Sequence, residues 1–254
     1  MKKNFEIFYP EDKVVLNFIR NYDEEFDKKL TNKFNYSRVV SLSDFHRLIV
    51  KMKLNDFSKV VILSGSLEDP ELKFINHKFL DIFQYNEVSN LNNLDDDWEM
   101  ISNSKSINSK YYKEKKNMYD FVLCNQVFEH IFSPLQGIKN IYYITKMNGY
   151  AWISLPTINC IHGEPHFYSA GYHPRYLYRL CEEAGFEVLH IGAWGNRKYL
   201  AYAVQGHWLA HDELKIGFRS KLDFAHPYFA LKDGRKNDTR GNFITDTWVL
   251  LRKK

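Results

Sequence analysis

Cysteine is scarce in this sequence of 254 residues: there are three, Cys124, Cys160 and Cys181, with no C-x-x-C pair among them. An odd number without that spacing excludes a disulfide framework and favours a reducing compartment. No apolar run approaches the length that crosses a bilayer. The first residues, Met1–Lys13, carry charge but no apolar signal-peptide core. We therefore expect a cytoplasmic protein that does not bind a membrane.

A strong charge of one sign is also lacking. The formal net charge is +4, and lysines alternate with acidic residues instead of forming a block, which argues against a nucleic-acid groove. Hydrophobic residues make up 44% of the chain and charged residues 26%, as in an ordinary globular domain. A chain of this length can bury a complete α/β core, so we expect one domain over 1–254.

The clearest unit is Tyr119–Thr157, whose pattern predicts a strand, a loop, a helix, a turn and a second strand. Phe121–Cys124 is a short apolar run typical of a buried parallel strand. Ser133-Pro134 predicts a capped helix start, and Asn148-Gly149 predicts a left-handed helix stop. Tyr150–Leu155 then predicts the second strand of a βαβ crossover.

Polar residues follow the first strand of this crossover. Asn125, Gln126, Glu129 and His130 come directly after it, and Pro156 ends the second strand. A right-handed crossover brings both carboxyl ends to one edge of the sheet, where open α/β sheets bind ligands. The residues are therefore a candidate site. The alternative that Glu129 and His130 only begin the next helix in solvent stays equally open.

An earlier strand and turn precede this unit. Val60–Leu63 predicts a buried strand, and Ser64, Gly65 and Ser66 form a turn of small residues that lets the backbone approach a ligand closely. Asp69-Pro70-Glu71 then predicts a helix start, whose N-terminus favours negative charge.

The next predicted strand is Phe79–Tyr85, with Asn86 and Glu87 at its end. Asp95 opens a triplet of aspartates, and such a triplet is more commonly a solvated loop than a binding site. Adjacent carboxylates diverge, and the EF-hand spacing is absent, so we expect no metal site there.

Pro156–Pro174 predicts a long irregular loop rich in aromatic residues and histidines. Loops of this length inside compact domains are more often functional than decorative. Cys160, His162 and His166 suggest zinc, but a glycine and a proline interrupt the helix that an H-x-x-x-H pair needs, and no fourth ligand is evident. We therefore predict substrate contact and no metal. A neutral histidine in this loop can accept a proton from a substrate.

The flanking segments complete the prediction. Residues 1–55 predict a cover of two amphipathic helices packed on the sheet. Pro174–Ala184 predicts a helix, Phe186–Ile191 a strand and Phe243–Leu251 the last strand, whereas 196–241 predict an aromatic insertion, either a lid or an oligomer contact. The two apolar sets of the leading helices are Val14, Val15, Phe18 and Ile19, and then Phe45, Leu48, Ile49 and Met52 after a Ser43-Asp44 cap.

From Val60 to Trp194 the chain resembles class I S-adenosylmethionine-dependent methyltransferases. The segments DFVLCNQVFEHI and NGYAWISLPT are similar to that family's fourth and fifth strand motifs. KVVILSGSLEDP stands at the first motif, with one glycine where the family usually has several. The QVFEH turn and the LPT…HGEPHFY loop look similar to small-molecule methyltransferases of bacterial capsule and surface-polysaccharide pathways.

The resemblance implies a Rossmann-like, doubly wound and mostly parallel α/β sheet with an antiparallel last strand and helices on both faces. It implies S-adenosylmethionine as the cofactor and a small-molecule, sugar or phosphoramidate acceptor in capsule biosynthesis. Catalysis would then be mainly alignment. The cofactor residues that it implies are Ser64, Gly65, Ser66, Asn86, Glu87, Asp95, Asn125 and Gln126, and the catalytic residues are His130, His162 and His166.

Two other functions stay open. A nucleotide-sugar or dinucleotide oxidoreductase would use the same edge, but Ser64–Asp69 lacks a G-x-G-x-x-G pattern. A non-catalytic, methyltransferase-like subunit would fit the reduced first motif. The expected partner is a small-molecule acceptor, with neither nucleic acid nor membrane, and a homodimer is compatible with the sequence.

Overall fold

The computed structural model describes residues 5–9, 11–19, 36–64, 67–83, 114–162, 167–195 and 244–254. Within these ranges the chain forms one sheet of eight strands with three α-helices. None of the described helices has the length and apolar character needed to cross a membrane.

The strands are β1 (Phe5–Tyr9), β2 (Val14–Phe18), β3 (Asp56–Leu63), β4 (Asn76–Phe83), β5 (Tyr119–Asn125), β6 (Thr145–Pro156), β7 (Phe186–Trp194) and β8 (Asp246–Lys253). The helices are α1 (Tyr36–Met52), α2 (Pro134–Ile144) and α3 (Pro174–Glu183), with 3-10 helices at Pro70–Phe74 and Phe128–His130.

The strands lie in the order β1-β2-β7-β8-β6-β5-β3-β4. β6, β5, β3 and β4 are parallel neighbours, while β8 is antiparallel between β6 and β7. The predicted mostly parallel sheet with an antiparallel last strand is therefore confirmed. The carboxyl ends of β3, β4, β5 and β6 all lie at one edge.

Helices cover both faces of this sheet, as predicted. Successive side chains of a strand point to opposite faces, so alternate residues of each central strand pack in different layers. One layer joins α1 to the sheet, and the other joins α2 and α3 to it. The first layer contains Phe45, Leu48 and Ile49 of α1 with Val60, Phe121, Trp152 and Trp248, and the second contains Ile138, Ile141, Leu177 and Cys181 with Val61, Val122, Ile153 and Val249.

The predicted first helix over Val14, Val15, Phe18 and Ile19 is wrong, because this segment is strand β2 and its continuation. β2 pairs antiparallel with β1 and parallel with β7. Val14 is buried and Val15 is exposed, which is the two-residue period of a strand. β-Branched residues favour strands, and a short apolar run does not by itself distinguish the two periods.

The second predicted helix exists as α1, but its predicted cap is wrong. α1 begins at Tyr36, so Ser43 and Asp44 lie inside it and both side chains are buried. Asp44 accepts hydrogen bonds from His190 and Trp248 across the interface with β7 and β8. Asp44, one residue of the pair that resembles a cap, therefore attaches the helix to the sheet.

The central unit of β5, α2 and β6 is confirmed, with differences at the ends of α2. Ser133 precedes the helix but makes no side-chain capping hydrogen bond. The helix ends at Ile144, so the predicted stop at Asn148-Gly149 is wrong. Asn148 has φ 61° and lies within β6, where the register against β5 shifts. Its left-handed conformation accommodates a strand irregularity.

The connection from β3 to β4 is shorter than the sequence predicts. The helix expected from Asp69-Pro70-Glu71 is a five-residue 3-10 helix, Pro70–Phe74, without a capping side chain. The strand expected at Phe79–Tyr85 begins at Asn76. The later predictions of α3, β7 and β8 are confirmed. The predicted insertion at 196–241 lies outside the described residues.

Candidate functional site

Two central strands turn sharply at the carboxyl edge. Ser64 follows β3 and Gln126 follows β5, and both have φ 55°. A left-handed conformation costs a residue other than glycine on the order of 1 kcal/mol, and surrounding contacts must hold it in place. The Ser64 N–H donates to the Phe83 carbonyl at 2.6 Å, and the Gln126 N–H donates to the Ser154 carbonyl at 2.8 Å. The ends of both strands are therefore fixed by their neighbours.

Several predicted cofactor and catalytic residues lie outside the described part of the chain, and their roles stay predictions. The described residues of the predicted set are Ser64, Asn125, Gln126, His130 and His162. The others are Gly65, Ser66, Asn86, Glu87, Asp95 and His166.

A polar network links α1 to the ends of β5 and β6. Arg38 Nη2 donates to Glu71 Oε2 at 2.7 Å, and Arg38 Nη1 donates to Ser154 Oγ at 3.3 Å. Ser154 Oγ donates in turn to Asn125 Oδ1 at 2.7 Å. The guanidinium of α1 thus reaches the predicted site residue Asn125 through one hydroxyl.

Two buried polar atoms of this network have no hydrogen-bond partner within the described residues. They are Asn125 Nδ2 and Glu71 Oε1. An unsatisfied buried polar group costs roughly 1–3 kcal/mol. Burial raises the pKa of the Glu71 carboxyl, although Arg38 acts in the opposite direction. The two atoms offer a ligand one N–H donor and one carboxyl acceptor.

A second group of candidate site residues begins in the loop after β5. Glu129 is 1% exposed, and its carbonyl accepts the N–H groups of Tyr168 at 2.8 Å and Ser169 at 3.2 Å. Burial raises the pKa of the Glu129 carboxyl, and its Oε2 atom is buried without a hydrogen-bond partner in the described structure. Glu129 is therefore an interior residue, and the alternative of a solvated helix start is wrong for it.

Two histidines stand beside Glu129. The His130 and His162 ring centroids are 4.8 Å apart at an interplanar angle of 89°, and Phe167 packs 5.1 Å from His162. His162 Nδ1 lies 2.8 Å from the Cys160 carbonyl. Because a carbonyl only accepts, Nδ1 carries a proton, and in the neutral ring the lone pair is then on Nε2. The structure therefore places His130 and His162 side by side, and their predicted catalytic role stays a prediction.

The segment before α3 holds the loop that carries Glu129 and His130 in place. Tyr172 donates from its hydroxyl to the Phe128 carbonyl at 2.9 Å, and its N–H donates to the Pro156 carbonyl at 2.9 Å. Burial raises the pKa of the Tyr172 phenol to about 12, so the hydroxyl stays protonated. Gly171 lies so close to β6 that a Cβ atom would be 2.2 Å from the Thr157 carbonyl carbon. The loop therefore packs backbone to backbone.

Three residues of the site carry no local signal in the sequence. Arg38, Glu71 and Ser154 come from the first helix, the 3-10 helix and β6, far apart along the chain. The sequence predicts Arg38 in a covering helix, Glu71 at a helix start and Ser154 in a buried strand. No local pattern reveals such a network, because its members meet only through the tertiary fold.

No protein-family model matches this chain, and no curated protein matches it either. Among solved structures, an Archaeoglobus fulgidus SAM-dependent methyltransferase is 16% identical over 85% of this chain and 95% of its own, with a TM-score of 0.47. The [4+2]-cyclase SpnF is 10% identical over 89% of this chain and 85% of its own, with a TM-score of 0.46. At these values the similarity assigns neither a family nor an activity to this chain.

Proposed function

We propose that the protein transfers a methyl group from S-adenosylmethionine to an acceptor. The observation that carries the proposal is the unpartnered pair Asn125 Nδ2 and Glu71 Oε1 at the carboxyl edge. The methionine end of the cofactor carries an ammonium and a carboxylate, which need an acceptor and a donor respectively. Glu71 would receive the ammonium, and Asn125 would donate to the carboxylate.

The strand order supports the same location. The chain passes from β3 outward to β4 and then returns to the opposite side of β3 as β5. β3 and β5 therefore enclose a topological switch point, where open α/β sheets bind ligands. Ser64, Asn125 and Gln126 lie at the carboxyl ends of these two strands. The predicted contacts of Gly65, Ser66, Asn86, Glu87 and Asp95 would complete the cofactor site.

When bound, S-adenosylmethionine supplies a methyl group whose carbon–sulfur bond breaks with the electron pair staying on sulfur. The protein holds the acceptor in line with that bond and excludes water. His162 Nε2 has the lone pair to take the proton that the acceptor hydroxyl or amine loses. His130, next to it, and His166 are the other candidates for this role.

We propose that the acceptor is a small molecule, sugar or phosphoramidate group of a surface polysaccharide, and that the reaction takes place in the cytoplasm. This proposal is supported by the sequences of the QVFEH turn and the LPT…HGEPHFY loop, which look similar to those of small-molecule methyltransferases of bacterial capsule and surface-polysaccharide pathways. Mass spectrometry of nucleotide sugars and phosphoramidate-bearing oligosaccharides incubated with the protein and isotopically labelled S-adenosylmethionine tests this. Transfer of the label to neither class would contradict the acceptor assignment.

One observation favours a second candidate, a non-catalytic subunit with the same fold. Between β3 and β4, the described residues 64 and 67–75 contain one helical element, the 3-10 helix Pro70–Phe74. A longer helix here would direct its positive N-terminal end at a ligand. The shortened connection is therefore compatible with a site that has lost its cofactor.

Calorimetric titration with S-adenosylmethionine, S-adenosylhomocysteine and a nicotinamide dinucleotide separates the candidates. We expect micromolar binding of the two sulfur compounds, near −8 kcal/mol, and none of the dinucleotide. Binding of the dinucleotide alone would favour an oxidoreductase. Binding of none of the three would favour the non-catalytic subunit.

A further inference from the structure

Glu129, His130 and His162 each place one metal-ligating atom within 4.8 Å of the others. We propose that these three residues bind a divalent first-row transition metal ion such as Zn²⁺. This site differs from the zinc set that the sequence suggests, Cys160, His162 and His166, and shares only His162 with it.

The Glu129 carboxylate favours a bound cation. Glu129 is 1% exposed, and its Oε2 atom is buried without a hydrogen-bond partner in the described structure. A buried carboxylate is costly unless it is paired, hydrogen-bonded or bound to a metal. A cation between Glu129 and the neighbouring imidazoles would supply the missing partner.

The orientation of His162 also favours a bound ion. Its Nδ1–H donates to the Cys160 carbonyl at 2.8 Å, which leaves the Nε2 lone pair available for an ion. Metal-bound histidines commonly donate their other ring nitrogen to a backbone carbonyl or a carboxylate, and this contact fixes the tautomer and the ring orientation. The Cys160 carbonyl therefore has the position of such an outer support, while its thiol is not one of the three ligands.

The positions of the three side chains are compatible with one shared ion after a small contraction. Tetrahedral zinc with bonds of 2.0–2.1 Å holds its ligand atoms about 3.3 Å apart, so a separation within 4.8 Å must contract. The backbone of Glu129 is held by Tyr168 and Ser169. His162 is exposed and His130 half-buried, so small movements of these two side chains, with the bond from His162 to the Cys160 carbonyl kept, can bring their nitrogens towards the carboxylate.

The donor set indicates the kind of ion. Two imidazoles and one carboxylate suit zinc and its first-row neighbours, whereas magnesium and calcium prefer oxygen ligands throughout. Three protein ligands leave an open coordination position, as in catalytic zinc sites. That position would take water or an acceptor oxygen. This catalytic role of the ion rests on the proposed function, and it would replace proton transfer to His162. Binding of the ion itself does not depend on methyl transfer.

The test is a zinc titration of the metal-free full-length protein in competition with a chromophoric chelator, without S-adenosylmethionine. We expect one Zn²⁺ per chain in the wild type and at least tenfold weaker binding in Glu129→Gln, His130→Asn and His162→Ala. The matched control is His173→Asn, at the exposed start of α3, where asparagine retains a capping acceptor. This control should bind as tightly as the wild type.

Absence of Zn²⁺ binding by the wild type would overturn the proposal, as would unchanged affinity in any of the three variants. Because His162 is exposed, His162→Ala keeps the test decisive if Glu129→Gln fails to fold. Far-UV circular dichroism checks folding. Titration of zinc-free protein with S-adenosylmethionine is a separate measurement, so loss of the metal site and loss of the proposed cofactor site give different results.

Discussion

The Ser154 hydroxyl donates to Asn125 Oδ1 at 2.7 Å, and this bond fixes which end of the Asn125 amide remains available. Arg38 donates to the same hydroxyl oxygen at 3.3 Å, so the hydroxyl proton is directed to Asn125. With Oδ1 engaged, Nδ2 is the atom left for a ligand. A helix from the first part of the chain thus sets the polarity of a site built mainly by β5 and β6.

The attachment of α1 to the sheet depends on Asp44. Its Oδ2 accepts from Trp248 Nε1 at 2.8 Å and from His190 Nε2 at 2.7 Å. Asp44→Ala leaves both buried donors unpaired, so we expect a loss of roughly 2–4 kcal/mol in the free energy of unfolding. Urea denaturation measures it. Asp56→Ala, at an exposed hydrogen bond to Asn76, should cost about 0.5 kcal/mol or less. Equal losses in the two variants would contradict this account.

The loop beside Glu129 is held by Tyr172. Tyr172→Phe removes the hydrogen bond to the Phe128 carbonyl, which is worth about 1 kcal/mol. We expect roughly fivefold faster hydrogen exchange at the Tyr168 and Ser169 amides, which both bond to the Glu129 carbonyl. The control is Tyr176→Phe, because Tyr176 is exposed. Equal protection in Tyr172→Phe and wild type would show that the loop does not need this bond.

Stability at alkaline pH should depend on Lys253. Burial, with a smaller effect of Lys116, lowers the pKa of Lys253 from 10.5 to about 8. Between these values the unfolded chain binds more protons than the folded chain, so the contribution of Lys253 to stability rises with pH. We therefore compare the free energy of unfolding of the wild type with that of Lys253→Met by urea denaturation. The difference, wild type minus variant, should increase from pH 7 to pH 10. The exposed neighbour Lys254, replaced by methionine, serves as the control. A difference independent of pH would refute the prediction.

The sequence predicts the half of the fold that consists of strongly patterned segments. β5, α2 and β6 are identified because Phe121–Cys124 and Tyr150–Leu155 are apolar runs on either side of a helical repeat. The N-terminal hairpin is missed because Val14, Val15, Phe18 and Ile19 fit both a helical spacing and a strand. Pairing with β7, across most of the chain, decides between them.

The site is predicted only in part for a similar reason. Asn125 and Gln126 follow from the end of a strand, which is a local signal. The interior position of Glu129 depends on Tyr168 and Ser169, which return to it from beyond β6. Arg38 reaches Ser154 over 116 residues of chain. Contacts of this kind leave no trace in local composition or periodicity.

The most direct test of the central claim is calorimetric titration of S-adenosylmethionine into wild type, Asn125→Ala and Asn76→Ala. Asn76 makes the matched control because it begins β4 at the opposite edge of the sheet. We expect wild-type affinity in Asn76→Ala and roughly 10- to 100-fold weaker binding in Asn125→Ala, since a hydrogen bond to a charged group contributes about 1.5–3 kcal/mol. Equal affinity in Asn125→Ala and Asn76→Ala would contradict cofactor binding at this edge.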